Sequence, residues 1–305
     1  MCFLVGIDCF TLSFTNYIIT FLFAGSSICF LVNFKDMEPN SKSMYSNLLI
    51  SPKEWQDQLN EIADEADKIA TYYFNQINVE VDFKLDNSPV TKADQEIERL
   101  IRTFFLEKFS DIGIVGEEFE SVNLESRVKL IVDPIDGTSN FIRKIPIIGT
   151  LLAIEVDKEI VAAVISNGIS NQRWTASKEN GAYFNNSLMK VSTVSDIDDS
   201  QAFYGSLFGR EARGDFDRLI RLLKYAKRQR GIGDFMIHMW VASGFGEFGI
   251  DFGLQPWDIA PVGLIVKESG GVVSAVNGDD FDIYEGSILT SNGYFHDQLV
   301  NIYNA

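Results

Sequence analysis

The sequence has little cysteine and little histidine, and each absence excludes a class of chemistry. All three cysteines, Cys2, Cys9 and Cys29, lie in the first 30 of 305 residues. The rest of the chain therefore has no disulfide framework and no thiol nucleophile. The two histidines are His238 and His296, which argues against a histidine-based zinc site or a phosphohistidine mechanism. His238 lies in an apolar helical stretch, so we expect it to be a packed core residue.

Positive charge is also scarce. The chain has 26 lysines and arginines against 43 aspartates and glutamates, a net charge of −17. Such an acidic chain is poorly suited to bind a nucleic-acid backbone, so we expect no nucleic-acid partner. The chain is 46% hydrophobic and 23% charged, a balance typical of a globular protein. Its length suffices for one large domain or two packed halves.

The first 46 residues differ from the rest. Asp8 is the one charged residue before Lys35, and residues 17–34 are nearly long enough to span a bilayer. Three alternatives remain open for this segment: a membrane anchor through residues 10–34, a signal peptide without the usual basic region, or an upstream start outside the working protein. Residues 35–46 are predicted to be a linker. We expect a cytoplasmic protein unless the anchor is real.

The remainder is predicted to form two halves that mix helices and strands. Residues 47–205 begin with helices over about 55–73 and 92–109, the first preceded by the capping pair Ser51-Pro52. Strands then dominate, with hairpins at 151–165 and 173–185. In residues 206–305 helices are predicted at 216–227, 234–243, 259–269 and 295–303, and strands at 272–275 and 287–290.

The chain is organised around residues 132–141. An apolar run ends in Asp133 and Asp136, and Gly137 and Thr138 then form a turn at a helix start. Two acids at the end of a buried strand repel each other unless a cation lies between them. The amides of Gly137 and Thr138 would point at the anion that this cation recruits. The pattern predicts metal-assisted phosphate chemistry.

Further acidic residues stand in unusual contexts at three other places in the chain. Asp94 lies at a helix start, Glu117 and Glu118 follow a strand end, and Asp258 opens a helix. Taken singly, Asp94 and Asp258 could be helix caps and Glu117 a surface turn. Together with the central pair they form a set of hard oxygen ligands that suits magnesium rather than zinc.

Four blocks in this order resemble the inositol-monophosphatase superfamily, the magnesium-dependent, lithium-sensitive phosphomonoesterases. The blocks are residues 90–94, 116–118, 133–138 and 257–260, the last followed by 268–271. The resemblance covers about residue 50 to the last residue. It implies a mixed α+β and α/β fold, a layered αβαβα sandwich of the inositol monophosphatase and fructose-1,6-bisphosphatase type. It also implies a homodimer that acts on a small phosphorylated metabolite.

The resemblance also implies a metal-ligand set. Glu117, Asp133 and the carbonyl of Ile135 would hold a first Mg²⁺, and Asp133, Asp136 and Asp258 would hold a second. Asp133 bridges the two ions, as a two-metal arrangement requires. A third, weaker ion near Glu117 is suggested.

The catalytic and phosphate-binding residues follow from the same resemblance. Thr138, hydrogen-bonded to Asp94, would orient the attacking water on the first metal ion, which Glu117 helps to hold. The amides of Gly137 and Thr138 would hold the phosphate oxygens. Lys84 occupies roughly the place of a basic residue upstream of Asp94. No covalent intermediate is needed, because the metal ions activate the water and offset charge on the leaving oxygen.

Two rival functions are weaker. A haloacid-dehalogenase-type phosphatase needs an Asp-x-Asp pair, whereas two residues separate Asp133 from Asp136 here. The chain could also be a catalytically silent scaffold on this fold. Every ligand position is filled by the expected acid, so we expect an enzyme.

The substrate-facing positions are expected in residues 230–234, which include Gly233 and Asp234, and at Asp251. In inositol phosphatases the position of Asp251 usually holds a glutamate that contacts ring hydroxyls, so the shorter side chain counts against inositol. Residues 233–235, 239–242 and 254–258 resemble the histidinol-phosphatase branch, in which an acid can pair with the ammonium or imidazole of the substrate. We expect histidinol phosphate. Inositol monophosphate, 3′-phosphonucleotides, fructose bisphosphate and broad-range activity remain alternatives, and Asp234 could simply cap its helix.

Overall fold

The computed structural model describes residues 8–13, 17–24, 27–34, 50–76, 81–83, 89–205 and 216–305. The chain forms two compact units, Met1–Asn47 and Leu48–Ala305. Lys84, the predicted basic residue of the site, lies outside the described residues.

The first unit contains a small antiparallel sheet. Its strands are β1 (Asp8–Ser13), β2 (Tyr17–Ala24) and β3 (Ser27–Phe34), in the order β1-β2-β3. Within the span 17–34, considered above as one apolar segment, residues 17–24 and 27–34 thus form two paired strands, in keeping with their many β-branched and aromatic residues. In the described part of the chain, no helix combines the length and the apolar character needed to cross a membrane.

The second unit contains a seven-stranded sheet. In chain order its strands are β6 (Gly113–Gly116), β7 (Val128–Asp136), β8 (Gly149–Val156), β9 (Glu159–Asn167), β10 (Gln172–Ser177), β11 (Ala182–Phe184) and β12 (Ser187–Leu188), and they are adjacent in that order. β6 and β7 are parallel, and the other pairs are antiparallel. Both predicted hairpins are confirmed. A separate two-stranded ladder, β4 (Val81–Phe83) with β5 (Pro89–Thr91), leads into the second helix.

A five-stranded sheet follows. It contains β13 (Gln201–Tyr204), β14 (Arg228–Gly231), β15 (Phe248–Phe252), β16 (Val272–Ser274) and β17 (Ser287–Ser291), in the spatial order β14-β13-β15-β17-β16. β14 and β15 were not predicted from the sequence. Both are only four or five residues long and contain glycine, which is depleted in strands and weakens the alternating pattern.

Seven helices are described: α1 (Pro52–Phe74), α2 (Lys92–Lys108), α3 (Thr138–Ile142), α4 (Phe216–Leu223), α5 (Met236–Ala242), α6 (Pro256–Glu268) and α7 (His296–Asn304). The predicted cap of α1 is confirmed, because Ser51 and Glu54 form a capping box. Two helices are shorter than predicted. α4 ends before the chain enters β14. α5 begins after Asp234, whose backbone is left-handed (φ 63°) and cannot belong to a helix.

Within the second unit, the helices and the two larger sheets alternate in five layers. α1 and α2 pack on one face of the seven-stranded sheet through a core that includes Trp55, Ile97 and Leu130. α5 and α6 lie between the two sheets, with Ile259 and Ile265 fully buried. α4 and α7 cover the far face of the second sheet through Leu222 and other apolar side chains. The predicted αβαβα sandwich is therefore confirmed.

Candidate active site

A bulge at the end of β7 brings the two central acids together. Asp133 pairs with Leu151 of β8, but Asp136 pairs with Gly149, so β7 has one extra residue between these positions. In a regular strand, residues three apart point to opposite faces. Because of the extra residue, the side chains of both acids point to the same face of the sheet. Pro134 fits within the bulge because it needs no ladder donor there.

Three carboxylates converge at this point. Asp133, Asp136 and Asp258 each offer an oxygen, and these oxygens lie within 4.8 Å of one another. Each acid accepts a backbone N–H that fixes its orientation: Asp133 from Ile135 (2.9 Å), Asp136 from Phe235 (2.7 Å) and Asp258 from Gln255 (2.7 Å). The site therefore joins β7, the start of α5 and the first turn of α6.

The electrostatics of the three acids fit a bound cation. Burial and the negative charges of neighbouring acids raise the pKa values of Asp133 and Asp136 well above the usual range. The same causes raise the pKa of Asp258 to about 7. The neighbouring charges that raise these three pKa values all belong to carboxylates, and Glu117 raises the pKa of each of the three acids. Such a partly buried cluster is destabilised by self-repulsion, so these residues could hold a metal ion with hard oxygen ligands.

Glu117 approaches this cluster from the end of β6. It is close enough to Asp133 to form a side-chain hydrogen bond with it. Glu117 thus lies beside the three-carboxylate group rather than within it.

Asp94 and Thr138 form the next part of the site. Asp94 is fully buried in the first turn of α2, where it accepts the backbone N–H of Thr91 at 2.8 Å. Burial is the main reason that its pKa is raised to about 6. The Thr138 hydroxyl lies 3.4 Å from Asp94 Oδ1 and 3.1 Å from the carbonyl oxygen of Ile135. The hydroxyl therefore links α2 to the end of β7.

Asp234 is held at the site by a residue that the sequence analysis missed. Its Oδ2 accepts a hydrogen bond from Asn140 Nδ2 at 2.7 Å, and Asn140 also donates to the carbonyl of Ile147 at 2.9 Å. The charge of Asp234 contributes to the raised pKa of Asp136. Asp234 does not cap α5, which starts after Phe235 without a side-chain cap. Asn140 belongs to the central block of residues 132–141, which was the available signal.

Asp251 and Gly233 complete the predicted substrate positions. Asp251 is 8% exposed on β15, and its charge contributes to the raised pKa of Asp258. A Cβ atom at Gly205 would lie 2.2 Å from Asp251 Oδ1, so a side chain at that position would displace the carboxylate. A Cβ at Gly233 would meet nothing within 4 Å.

Comparison with known proteins agrees with this architecture. A family model described as "Inositol monophosphatase family" matches residues 52–304. The chain is 33% identical over 252 residues to the histidinol-phosphatase of Streptomyces coelicolor, covering 80% of this chain and 94% of that protein. It is 28% identical over 253 residues to human inositol monophosphatase 1, covering 78% and 90%.

The fold also resembles solved structures. The crystal structure of extragenic suppressor protein suhB from Bartonella henselae matches with a TM-score of 0.75 and 27% identity, covering 82% of this chain and 98% of that one. The layered fold, the acidic cluster and these relatives agree. The chain belongs to the inositol monophosphatase family and is a phosphoric monoester hydrolase.

Proposed function

We propose that this enzyme is a Mg²⁺-dependent phosphatase whose substrate is histidinol phosphate. The observation that carries the proposal is the placement of Asp234, a carboxylate that Asn140 holds beside Asp136. Asp251 adds a second acid outside the proposed metal-ligand set. A substrate with an ammonium and an imidazole group would offset this negative charge.

The metal ligands follow the arrangement of the acids. Glu117, Asp133 and the Ile135 carbonyl would hold one Mg²⁺, and Asp133, Asp136 and Asp258 would hold another. A third ion near Glu117 is compatible with the surplus of negative charge there. Bound Mg²⁺ supplies a lowered pKa for water and a counter-charge for the leaving oxygen.

The residues of the chain then orient and deprotonate the attacking water. The Thr138 hydroxyl lies between Asp94 and the Ile135 carbonyl, so its lone pairs can fix the position of that water. Asp94, with a pKa of about 6, is largely ionised at neutral pH and can accept a proton through Thr138. The amides of Gly137 and Thr138 would hold the phosphate oxygens, with Lys84 as the predicted basic contact.

Replacing Thr138 should separate water orientation from metal binding. Thr138→Val keeps the volume but removes the hydroxyl, so kcat should fall by about a hundredfold. Mg²⁺ affinity, measured by calorimetry, should not change. Thr138→Ser keeps the hydroxyl and should retain most of kcat. A valine variant with the kcat of the wild type would contradict this role.

Replacing Asp234 tests the substrate. Asp234→Asn preserves the shape but removes the charge that would pair with the substrate's cationic group. The kcat/KM for histidinol phosphate should fall by about 10- to 100-fold, the range for a hydrogen bond to a charged group. The kcat/KM for inositol 1-phosphate, which lacks a cationic group, should change little. Equal losses on both substrates would mean that Asp234 does not select the substrate.

Inositol monophosphate is the second candidate, favoured by the likeness to human inositol monophosphatase 1. The side chain of Asp251, shorter than the glutamate usual at this position in inositol phosphatases, counts against it. We also expect a homodimer, which light scattering on the purified enzyme would test.

A further inference from the structure

The face of α2 next to the site carries a buried ion pair. Glu98 is fully buried, and the side chain of Arg102 is only 11% exposed. Arg102 Nε donates to Glu98 Oε1 at 2.7 Å. An ion pair removed from water needs further hydrogen bonds to compensate for its lost hydration. The remaining polar atoms of this pair should therefore have specific partners.

Those partners lie in the backbone that follows Glu117. Glu98 accepts the N–H of Glu118 at 2.7 Å and that of Phe119 at 3.3 Å. Arg102 donates to the carbonyl of Phe119 at 2.9 Å and to that of Glu120 at 3.1 Å. Two backbone donors and two backbone acceptors are thus bound to one face of one helix. This arrangement restrains the segment in position and in orientation.

The residue before Glu117 contacts the same pair. A Cβ atom at Gly116 would lie 2.2 Å from Glu98 Oε1 and 3.0 Å from a terminal nitrogen of Arg102. Gly116 is therefore needed for the backbone to approach the ion pair this closely. The chain is held on both sides of Glu117, whose own carboxylate reaches Asp133.

We propose that the Glu98–Arg102 pair positions Glu117 for metal binding. The inference rests on the proposed metal role of Glu117. α2 also carries Asp94, which contacts Thr138, so one rigid helix would set Glu117 against both Asp94 and Thr138. A ligand held in advance in its binding geometry loses less freedom when the metal binds. Glu98 and Arg102 are positioning residues, and the substrate contacts Asp234 and Asp251 lie on other elements.

The test measures Mg²⁺ binding to the full-length chain by isothermal titration calorimetry without substrate. Glu98→Ala should weaken Mg²⁺ binding by about tenfold or more, the usual effect of removing a group that orients a metal ligand. Glu98→Gln should bind with intermediate affinity, because its amide oxygen can still accept one backbone N–H. If Glu98→Ala does not fold, the Mg²⁺ affinity of Glu98→Gln provides the test instead. At saturating Mg²⁺ the KM for the phosphate ester should not change.

Asp67→Ala is the matched control. Asp67 lies on α1, where its Oδ2 accepts hydrogen bonds from Arg173 at 2.7 Å and from Ser166 at 2.6 Å. Like Glu98, it is a mostly buried helical acid paired with an arginine. Its removal should lower the thermal unfolding midpoint but leave Mg²⁺ affinity at the wild-type value. The control therefore separates general destabilisation from the loss of Glu117 positioning.

The outcomes are distinguishable. Unchanged Mg²⁺ affinity in Glu98→Ala, or an equal loss in Asp67→Ala, would overturn the positioning role and leave the proposed function intact. Wild-type enzyme that binds no Mg²⁺ would overturn the proposed metal function and this inference with it. Wild-type enzyme that binds Mg²⁺ but does not hydrolyse histidinol phosphate would overturn only the substrate, because the binding measurement does not involve it.

Discussion

Asp133→Asn is expected to lower kcat by about a thousandfold or more, because it removes the charge that both metal ions would share. Asparagine has the same size and can still accept the N–H of Ile135, which Asp133 binds at 2.9 Å. The fold should therefore be preserved. The measurement is phosphate release at saturating substrate and Mg²⁺, with circular dichroism to check the fold.

Although Asp133→Asn should lower kcat, it should stabilise the metal-free protein. Asp133 is buried and repelled by Glu117, Asp136 and Asp258, so removing its charge relieves an unfavourable interaction. In EDTA at neutral pH, the thermal unfolding midpoint of Asp133→Asn should exceed that of the wild type. Asp157→Asn, at a half-exposed acid paired with Arg127, is the control and should retain activity. Hydrolysis by Asp133→Asn within tenfold of the wild-type rate would contradict the metal assignment.

The second large effect is a pH-dependent stabilisation by Mg²⁺. At about 100 times its dissociation constant, Mg²⁺ should raise the unfolding midpoint by about 5–10 °C at pH 7.5. At pH 5 and the same Mg²⁺ concentration, the increase in the unfolding midpoint should be much smaller. The reason is that the metal ligands must be ionised to bind Mg²⁺, and the pKa values of Asp133, Asp136 and Asp258 are raised in the metal-free fold.

Asp94 and Asp258 determine how the stability of the metal-free protein changes with pH. The pKa of Asp94 is about 6 and that of Asp258 about 7 in the folded protein, against about 4 when unfolded. Each group therefore contributes stability that is fully present below about pH 4 and is lost as the pH rises through 6 to 7. Bound Mg²⁺ would compensate for the loss at Asp258, because it would stabilise the ionised form of this ligand.

The buried His238 gives stability the opposite pH dependence, so its effect has to be distinguished from that of the acids. Burial lowers the pKa of His238 to about 3, so its contribution to stability is present above about pH 6.5 and is lost as the pH falls. The unfolding midpoints of wild type and Asp258→Asn should therefore be compared from pH 5 to 8 in EDTA, since His238 affects both alike. The variant should gain stability relative to the wild type as the pH rises. A stabilisation by Mg²⁺ that does not vary with pH would contradict this account.

Local sequence patterns predicted much of the fold. The repeat of apolar residues located α1 and α2, and the capping residue Ser51 marked the start of α1. The hairpins around residues 157–158 and 179–181 follow from short turns between strand-forming runs. These features depend on neighbours in the chain, which is why periodicity and turn chemistry detect them.

The arrangement of the site residues was harder to predict from local sequence patterns. Asp133 and Asp136 are three residues apart, a spacing that directs side chains to opposite faces of a regular strand, and only the bulge reverses this. The family motif indicated the pair, whereas periodicity alone would have separated it. The contact between Asn140 and Asp234 joins residues 94 positions apart. Such a contact depends on how the two sheets pack, which no local pattern encodes.

The most direct test of the central claim is phosphate release from histidinol phosphate by the purified enzyme, with Mg²⁺ and with EDTA. Inositol 1-phosphate, adenosine 3′,5′-bisphosphate and fructose 1,6-bisphosphate are measured in parallel. We predict rapid release from histidinol phosphate alone, and only with Mg²⁺. Slow, even release from all four substrates would contradict the substrate assignment, and release that persists in EDTA would contradict the metal-dependent mechanism.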